Sequence, residues 1–323
     1  MSMSIKYKKR NRFVTEVLNI YSYIIMLLKF IFTSKKYERR NVTFENNLQL
    51  EFLYHTTVKI MTDTGSGTGF FFIFENLKNS NNPVPVIVTN KHVIDGCKEC
   101  SFVFNLADEN HRPKYCGNNI EIKIEKFNEL ALYHPDNNVD LCILPIGNIL
   151  SAFGKKDLCP YVQFLQEDMI WDKAMTNFMW PIEDIKMVGY PDGIADEYNN
   201  MPIIRTGITA TPIKLDYNGK EEFLIDCACF PGSSGSPVFV HKQNYRLFGL
   251  FNRKNLIFLS GILYAGPQHQ TSGEIIMQPI QNKPTPIINI PNNLGCVIKA
   301  YKILDFKPLI EKKLEEELQE LSE

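Results

Sequence analysis

Short runs of apolar residues, separated by turn-forming residues, follow one another closely from Glu51 onward. Several runs alternate apolar and polar positions, and others are continuously apolar, as in FFFIF (Phe70–Phe74) and VPVIVTN (Val84–Asn90). Both patterns are typical of β-strands, and the continuous one is typical of strands buried on both faces. Strands at this density indicate a sandwich or a barrel, so we predict an all-β fold.

Two internal segments depart from the strand pattern. Residues 147–184 contain both tryptophans and have irregular apolar spacing. We interpret them as a connector between two β units at about 50–146 and 185–305, within one domain at 46–305. The segment Pro267–Asn292 is rich in proline and glutamine, and is predicted to be a long surface loop.

Both ends of the chain are predicted to be helical. Residues 306–323 carry one apolar stripe, and Asp305 is the candidate N-cap. The extension 1–45 contains an amphipathic stretch at 13–33 between basic clusters. Its apolar run is about 16 residues long and is interrupted by Lys29, whereas a membrane span needs about 20. Three interpretations of this stretch remain: a helix packed on the body of the protein, a contact with a membrane surface, and a short membrane span.

The overall composition limits the classes of partner. The chain has 323 residues, with 35 basic and 36 acidic side chains, so no excess of positive charge indicates a nucleic-acid partner. Its eight cysteines would form a disulfide framework in a small secreted protein. Because this chain is long enough to form a core without them and shows no convincing signal peptide, we expect reduced cysteines and a cytoplasmic protein. Attachment to the inner face of the membrane is the alternative.

Candidate chemistry centres on GSSGSP (Gly232–Pro237), where serines lie between glycines. A serine becomes a good nucleophile when a neighbouring base removes its proton. His92, in TNKHV at the end of an apolar run, is a candidate base, and Asp140, in VDLCIL, can orient its imidazole. The alternative acid is Asp136, in the polar turn HPDNN.

Along the chain the three motifs follow in the order TNKHV, VDLCIL and GSSGSP, and in this order they resemble the trypsin/chymotrypsin family of serine proteases, especially its bacterial HtrA-like branch. Further matches are GTGFF (Gly67–Phe71) and VGYP (Val188–Pro191), and the resemblance covers roughly Glu51–Leu309. It implies two six-stranded antiparallel β-barrels, chymotrypsin-like, with the site in the cleft between them. It also implies a serine endopeptidase without a cofactor, which forms an acyl-enzyme with a protein or peptide substrate.

The resemblance assigns a role to each motif. It implies that His92 is the general base, Asp140 its orienting acid and Ser234, at the G-x-S-G-x-P position, the nucleophile. The oxyanion hole is then formed by the backbone N–H groups of Gly232 and Ser234. Ser233 replaces the aspartate that pairs with the new N-terminus in trypsins, so we expect no activation by N-terminal cleavage. A catalytically inactive peptide-binding module and a membrane-attached protease are the alternatives.

The substrate pocket is assigned through the same resemblance. Ala228 lies six residues before Ser234, where trypsin has an acidic pocket floor. The walls are assigned to Tyr264, Ala265, Gly266 and Gly295. Phe251–Arg253 is the alternative segment for the first wall. The neutral floor and the small wall residues predict an uncharged or apolar residue before the cleaved bond.

The cysteines suggest one further hypothesis. Cys97, Cys100, His111 and Cys116 have the spacing C-x₂-C-x₁₀-H-x₄-C, which is compatible with zinc. A redox pair in CKEC, or simple burial of the thiols as small apolar groups, are the alternatives. We expect no bound metal.

Overall fold

The computed structural model describes residues 48–78, 82–125, 127–171, 173, 176, 179–245, 254–266, 268–271 and 288–320. The predicted N-terminal helix with its stretch 13–33 lies outside these residues, as does the alternative wall Phe251–Arg253. The described ranges contain sixteen strands and five α-helices, and three of these helices are only four residues long. The prediction of an all-β fold is therefore confirmed.

The first β unit is one sheet of eight strands. They are β1 (Thr57–Thr62), β2 (Gly65–Phe74), β3 (Val84–Thr89), β4 (Glu99–Asn105), β5 (Asn119–Glu125), β6 (Leu132–Tyr133), β7 (Cys142–Pro145) and β8 (Leu165–Gln166). Seven are hydrogen-bonded in the order β5-β4-β1-β2-β3-β7-β6, and β8 pairs in parallel with β2. A six-stranded barrel was expected for this unit; the structure has one sheet of eight strands, of which β6 and β8 have only two residues each. Because β8 comes from the predicted connector, the connector belongs partly to this sheet.

Strand β2 is buried on both faces, which explains its continuous apolar run. Phe70, Phe72 and Phe74 lie in one core cluster, and Phe71 lies in another. Successive side chains of a strand point to opposite faces, so a strand between two cores needs apolar residues at every position. Strand β2 therefore separates the interior of the first unit from the core that it shares with the second.

The second β unit is a closed barrel of six strands, as predicted. Its strands are β9 (Asp184–Gly189), β10 (Ile203–Thr209), β11 (Glu222–Asp226), β12 (Pro237–Tyr245), β13 (Lys254–Ala265) and β16 (Leu294–Lys299). Around the barrel their order is β10-β11-β16-β13-β12-β9. Alternate residues of these strands fill its interior, including Ile185, Met187, Phe223, Ile225, Val238, Val240 and Val297.

The segment predicted as a surface loop, Pro267–Asn292, contains a short hairpin. β14 (Gln268–Thr271) and β15 (Ile288–Pro291) pair antiparallel. The loop prediction is wrong for these residues, because backbone pairing does not require an apolar face and QHQT has none. The residues between the two strands lie outside the described ranges.

The α-helices are α1 (Leu48–Glu51), α2 (Lys91–Ile94), α3 (Phe127–Leu130), α4 (Gly147–Gly154) and α5 (Lys307–Glu320). Short 3₁₀ helices occupy Phe52–His55, Glu167–Met169, Pro191–Gly193, Tyr217–Gly219 and Ala300–Phe306. Within the described part of the chain, none of the helices has the length and apolar character needed to cross a membrane.

The C-terminal helix begins later than its predicted N-cap. Asp305 lies inside the 3₁₀ helix Ala300–Phe306, and α5 begins at Lys307. The Asp305 carboxylate forms an ion pair with Lys302 at 2.6 Å and lies 3.3 Å from Nε2 of His134. Asp305 is therefore held by charged neighbours and does not cap the helix.

One hydrophobic cluster joins the two β units. It contains Phe72 of β2, Val188 of β9 and Phe239 of β12, together with Phe306 and Ile310 from the C-terminal segment. All five side chains are buried. Burial of apolar area is the main favourable contribution to folding, so this shared core fixes the two units against each other.

We predict that Ile310→Ala lowers the free energy of unfolding by about 2–5 kcal/mol, because it leaves a cavity in the shared core. The control is Leu318→Ala on the same helix, where 57% of the side chain is exposed. We expect this control to change stability by about 0.5 kcal/mol or less. Chemical denaturation of both variants measures the difference, and equal effects would contradict the placement of α5.

Candidate active site

The predicted base and the predicted acid contact each other directly. Strands β3 and β7 pair antiparallel with Thr89 opposite Cys142, so the end of β3 lies beside the start of β7. His92 follows β3 in α2, and Asp140 precedes β7 by two residues. Nδ1 of His92 lies 2.5 Å from Oδ2 of Asp140, and the His92 backbone N–H donates to Oδ1 at 3.2 Å. These two contacts fix the ring so that Nε2 lies on the side away from the carboxylate.

The alternative acid, Asp136, forms hydrogen bonds with residues other than His92. Its Oδ1 accepts the backbone N–H of Asn138 at 2.9 Å and the side-chain N–H of the same residue at 3.1 Å. The backbone hydrogen bond from Asn138 holds the pKa of Asp136 below its usual range. The Asp136 backbone N–H donates to Nδ1 of the buried His134 at 3.0 Å. The structure thus places Asp140, and not Asp136, against His92.

Two glycines give the serine loop its shape. Gly232 has a φ of +80° and Gly235 a φ of +86°, in the left-handed region that favours glycine. A Cβ on Gly232 would lie 2.5 Å from the carbonyl oxygen of Tyr190, and one on Gly235 would lie 1.9 Å from that of Thr68. The loop therefore needs glycine at both positions for its backbone angles and for its close packing.

Of the three serines in the loop, Ser234 is the accessible one. Ser233 is 1% exposed and Ser236 is fully buried, whereas Ser234 is half-buried. Within the described residues, the hydrogen bond of the Ser234 hydroxyl goes to the carbonyl oxygen of Tyr264 at 3.4 Å, and not to His92. That bond is long and weak, and loose pairing of nucleophile and base is common in enzymes without substrate.

The loop at Pro191–Gly193 orients one peptide of the serine loop. The backbone N–H of Asp192 donates to the carbonyl oxygen of Pro231 at 2.5 Å. Because the peptide bond is planar and trans, the N–H of the following Gly232 points to the opposite side. Within the described residues, the N–H groups of Gly232 and Ser234 have no backbone acceptor. Both N–H groups are therefore free of backbone acceptors, as donors to an anionic oxygen must be.

Thr68 of β2 connects the serine loop to the first β unit. Its N–H donates to the carbonyl of Ser234 at 2.9 Å, and its hydroxyl donates to the carbonyl of Gly232 at 2.9 Å. The same hydroxyl accepts the N–H of Tyr190 at 3.0 Å, and the Thr68 carbonyl accepts the hydroxyl of Thr89 at 2.7 Å. Thr68 is fully buried. This one residue therefore sets the position of the loop relative to β3, the strand that leads to His92.

Two of the predicted pocket residues, Gly266 and Gly295, lie against Cys229. A Cβ on Gly295 would lie 2.7 Å from Cys229 Sγ, and one on Gly266 would lie 3.5 Å from Cys229 Cβ. Ala228, the predicted floor, is adjacent in sequence and half-buried. Burial raises the pKa of the Cys229 thiol to about 12, so this side chain is a small neutral group between the two walls.

The remaining predicted wall residues are Tyr264 and Ala265. The Tyr264 hydroxyl donates to Oε2 of Glu222 at 2.9 Å. Burial and this carboxylate raise the pKa of Tyr264. Ala265, the last residue of β13, pairs with Cys296 on β16, so its backbone lies at one end of the barrel.

Sequence reasoning did not identify four residues that support or adjoin the site, namely Thr68, Asn90, Asp192 and Arg205. Asn90 is fully buried, and its side-chain N–H donates to the carbonyl of Asp140 at 2.8 Å. A polar residue inside a buried strand motif, such as Thr68 or Asn90, is a signal that could have found two of them. The sequence carries no comparable signal for Arg205, whose guanidinium donates to the carbonyl of Ala228.

The four residues whose spacing is compatible with zinc do not form one cluster. Sγ of Cys97 and Sγ of Cys100 lie 3.3 Å apart, and both side chains are buried. No group of three or more His, Cys, Asp or Glu residues in the described part of the chain could hold a metal ion. His111 and Cys116 therefore do not complete a site with the cysteine pair.

A closed β-barrel packed on a second sheet, with a His–Asp contact and a glycine-bounded serine, defines the class of chymotrypsin-like serine proteases. The family model for the trypsin-like peptidase domain matches residues 67–250, more than half of the chain. The chain belongs to this family, and it is a serine endopeptidase that acts on protein or peptide substrates.

Solved structures similar to this chain include three proteases. The Rv3671c protease of M. tuberculosis, in an inactive form, is 15% identical over 80% of this chain and 90% of that one, with a TM-score of 0.39. The HtrA-type protease AlgW with a tripeptide is 14% identical over 83% and 64%, with a TM-score of 0.42. A human pathogenic astrovirus serine protease is 13% identical over 76% and 89%, with a TM-score of 0.36. No curated protein matches the chain significantly.

We predict that Thr68→Val weakens both the fold and the site, because the carbonyl of Gly232 and the N–H of Tyr190 lose their partner. An unpaired buried polar group costs about 1–3 kcal/mol, so we expect a loss of stability of at least that size. The loop also shifts, and we expect labelling of the protein by a fluorophosphonate to slow by about 10- to 100-fold.

Thr68→Ser is the matched control, since it keeps the hydroxyl and removes the methyl group. It should label at a rate close to that of the unmodified protein. If Thr68→Val labels as fast as Thr68→Ser, the hydroxyl does not position the loop.

Proposed function

We propose that His92, Asp140 and Ser234 form the catalytic triad of this endopeptidase and that hydrolysis proceeds through an acyl-enzyme. The observation that carries the proposal is the 2.5 Å contact between His92 and Asp140 at the ends of two paired strands. The serine loop that carries Ser234 is hydrogen-bonded to β2, the strand next to β3. All three groups thus stand on one rigid framework, which efficient catalysis requires.

In the first half of the reaction, Oγ of Ser234 attacks the scissile carbonyl and Nε2 of His92 takes its proton. The carbonyl oxygen becomes an oxyanion, which the N–H groups of Gly232 and Ser234 stabilise. His92 then gives the proton to the leaving amine, and the C–N bond breaks. In the second half, water attacks the ester, with His92 again taking and returning the proton, and free Ser234 is regenerated.

Asp140 acts through His92. Its carboxylate keeps the proton of the neutral ring on Nδ1, so that Nε2 is free to accept the proton of Ser234. It also stabilises the imidazolium that forms in the transition state. Asp140 is 24% exposed and His92 is 48% exposed, so the pair is accessible to a substrate that covers it.

The geometry of the loop supports activity without N-terminal cleavage. The Ser233 side chain is buried and uncharged, so the loop has no carboxylate at this position that could form an ion pair with a new N-terminus. The Ser233 backbone N–H donates instead to the carbonyl of Phe230 at 3.0 Å. The hydrogen bonds of Thr68 and Asp192 hold the loop in place of that ion pair.

The weak hydrogen bond from Ser234 to Tyr264 favours one second candidate, a peptide-binding module without catalysis. In that case the hydroxyl would stay on Tyr264 when a peptide binds. Both candidates use the same cleft, and they differ in the reactivity of Ser234.

We predict that a fluorophosphonate labels the protein covalently and that Ser234→Ala abolishes the labelling. The reagent reacts with a serine hydroxyl that a neighbouring base activates. Ser233→Ala is the matched control in the same loop, and it should label at nearly the unmodified rate. Labelling that survives Ser234→Ala, or that is absent from the unmodified protein, would reject Ser234 as the nucleophile and favour the binding module.

We also predict that Asp140→Asn lowers kcat by about 10⁴-fold, because the amide stabilises the wrong tautomer of His92. Asp136→Asn removes a carboxylate four residues earlier and should leave kcat within a few fold of its original value. Steady-state cleavage of one peptide substrate by both variants tests the assignment. Equal losses in the two variants would contradict the choice of Asp140.

A further inference from the structure

Arg205 of β10 faces the inside of the barrel. It is directly opposite Met187 of β9, whose side chain is 2% exposed in the barrel core. Directly opposed residues of antiparallel strands project to the same face of the sheet. The Arg205 side chain therefore starts on the inner face, and it is half-buried.

The guanidinium of Arg205 reaches the floor of the predicted substrate pocket. Its Nη1 donates to the carbonyl oxygen of Ala228, the floor residue. Its Cζ lies 4.8 Å from the centroid of the Phe230 ring, two residues further along the same segment. The positive charge is thus held between the floor and the start of the serine loop.

This charge has no counter-ion in the described part of the chain. No Asp or Glu of that part lies within ion-pair distance of Arg205, and Asp226 is exposed and opposite the exposed Ile208 of β10. The neighbouring thiols of Cys227 and Cys229 are neutral, since burial raises the pKa of both. A half-buried guanidinium whose charge is unbalanced favours the approach of an anion.

The predicted walls of the pocket carry little side-chain bulk. Gly266 and Gly295 carry no side chain, and Cys229 between them is small. None of the three competes for the guanidinium. A carboxylate that enters the pocket finds a planar donor whose geometry matches its two oxygens.

We propose that Arg205 determines specificity and that the enzyme cleaves after acidic residues, aspartate or glutamate. This inference rests on the proposed function of the site. It replaces the expectation of an uncharged residue, which depended on the neutral side chain of Ala228 and did not include a charge supplied from β10. The same positive charge disfavours a basic residue at this position.

The test is a set of peptides that differ only in the residue before the cleaved bond, which is Glu, Gln, Asp, Asn, Val or Lys. We expect kcat/KM for at least one acid to exceed that for its amide by tenfold or more. Mass spectrometry of the products identifies the bond that is cleaved. The ratio of acid to amide isolates the charge, because the two side chains have nearly the same shape.

Arg205→Gln should reduce this ratio to about one while cleavage of the amide peptide continues, and Arg205→Lys should keep part of the preference. Lys186→Gln is the matched control. It removes a positive charge from the neighbouring strand, where Nζ of Lys186 bonds the hydroxyl of Thr206 at 2.9 Å, and it should leave the ratio unchanged. If Arg205→Gln does not fold, the ratio in the unmodified enzyme and in Arg205→Lys decides the question.

Labelling by a fluorophosphonate separates this inference from the proposed function. An enzyme that labels on Ser234 but shows no preference for an acid, or cleaves none of the peptides, overturns the role of Arg205 and leaves the triad standing. If Arg205→Gln leaves the ratio of kcat/KM for the acid to that for the amide unchanged, the role of Arg205 is likewise overturned and the triad is left standing. A protein that neither labels nor cleaves contradicts the proposed function itself.

Discussion

The hydrogen bonds of Thr68 are the constraint on which the site depends. The serine loop belongs to the second β unit and the histidine to the first, so the distance between them is set by the contacts that join the two units. Thr68 bonds the carbonyls of Gly232 and Ser234 from one side and the hydroxyl of Thr89 from the other. Such bonds contribute only about 1 kcal/mol each to stability, but leaving their buried partners unpaired would cost more.

The shared hydrophobic core holds the groups that form these hydrogen bonds in fixed positions. Phe72, Phe239 and Ile310 pack together across the two units, and β2 lies between this core and the core of the first unit. Protein interiors are close-packed and tolerate little displacement. The carbonyl acceptors around Thr68 are therefore held in fixed positions, and the serine loop that carries two of them is fixed with them.

Much of this architecture could be predicted from the sequence, because strands and motif loops are local features. The choice of Asp140 over Asp136 followed from its place at the entrance of a strand, and the His92 contact agrees with it. Other features depend on contacts between distant residues. The Thr68 bond to Gly232 joins positions 164 residues apart, and no local pattern shows it.

The position of Arg205 beside the predicted substrate pocket also could not be predicted from local sequence. The sequence shows an arginine in a strand, but its direction depends on the register against β9, and its partner Ala228 lies 23 residues further on. The short strand β8 and the hairpin of β14 and β15 were missed for a related reason. Both are stabilised by backbone pairing with a partner, and their side chains do not form a recognisable pattern.

Trapping the acyl-enzyme tests the central claim most directly. The protein is mixed with a chromogenic ester, quenched in acid within the first turnover and mapped by peptide mass spectrometry. The account predicts one acyl group per molecule, attached to Ser234. An acyl group on Ser233 or Ser236, or none at all when the ester is hydrolysed, would contradict it.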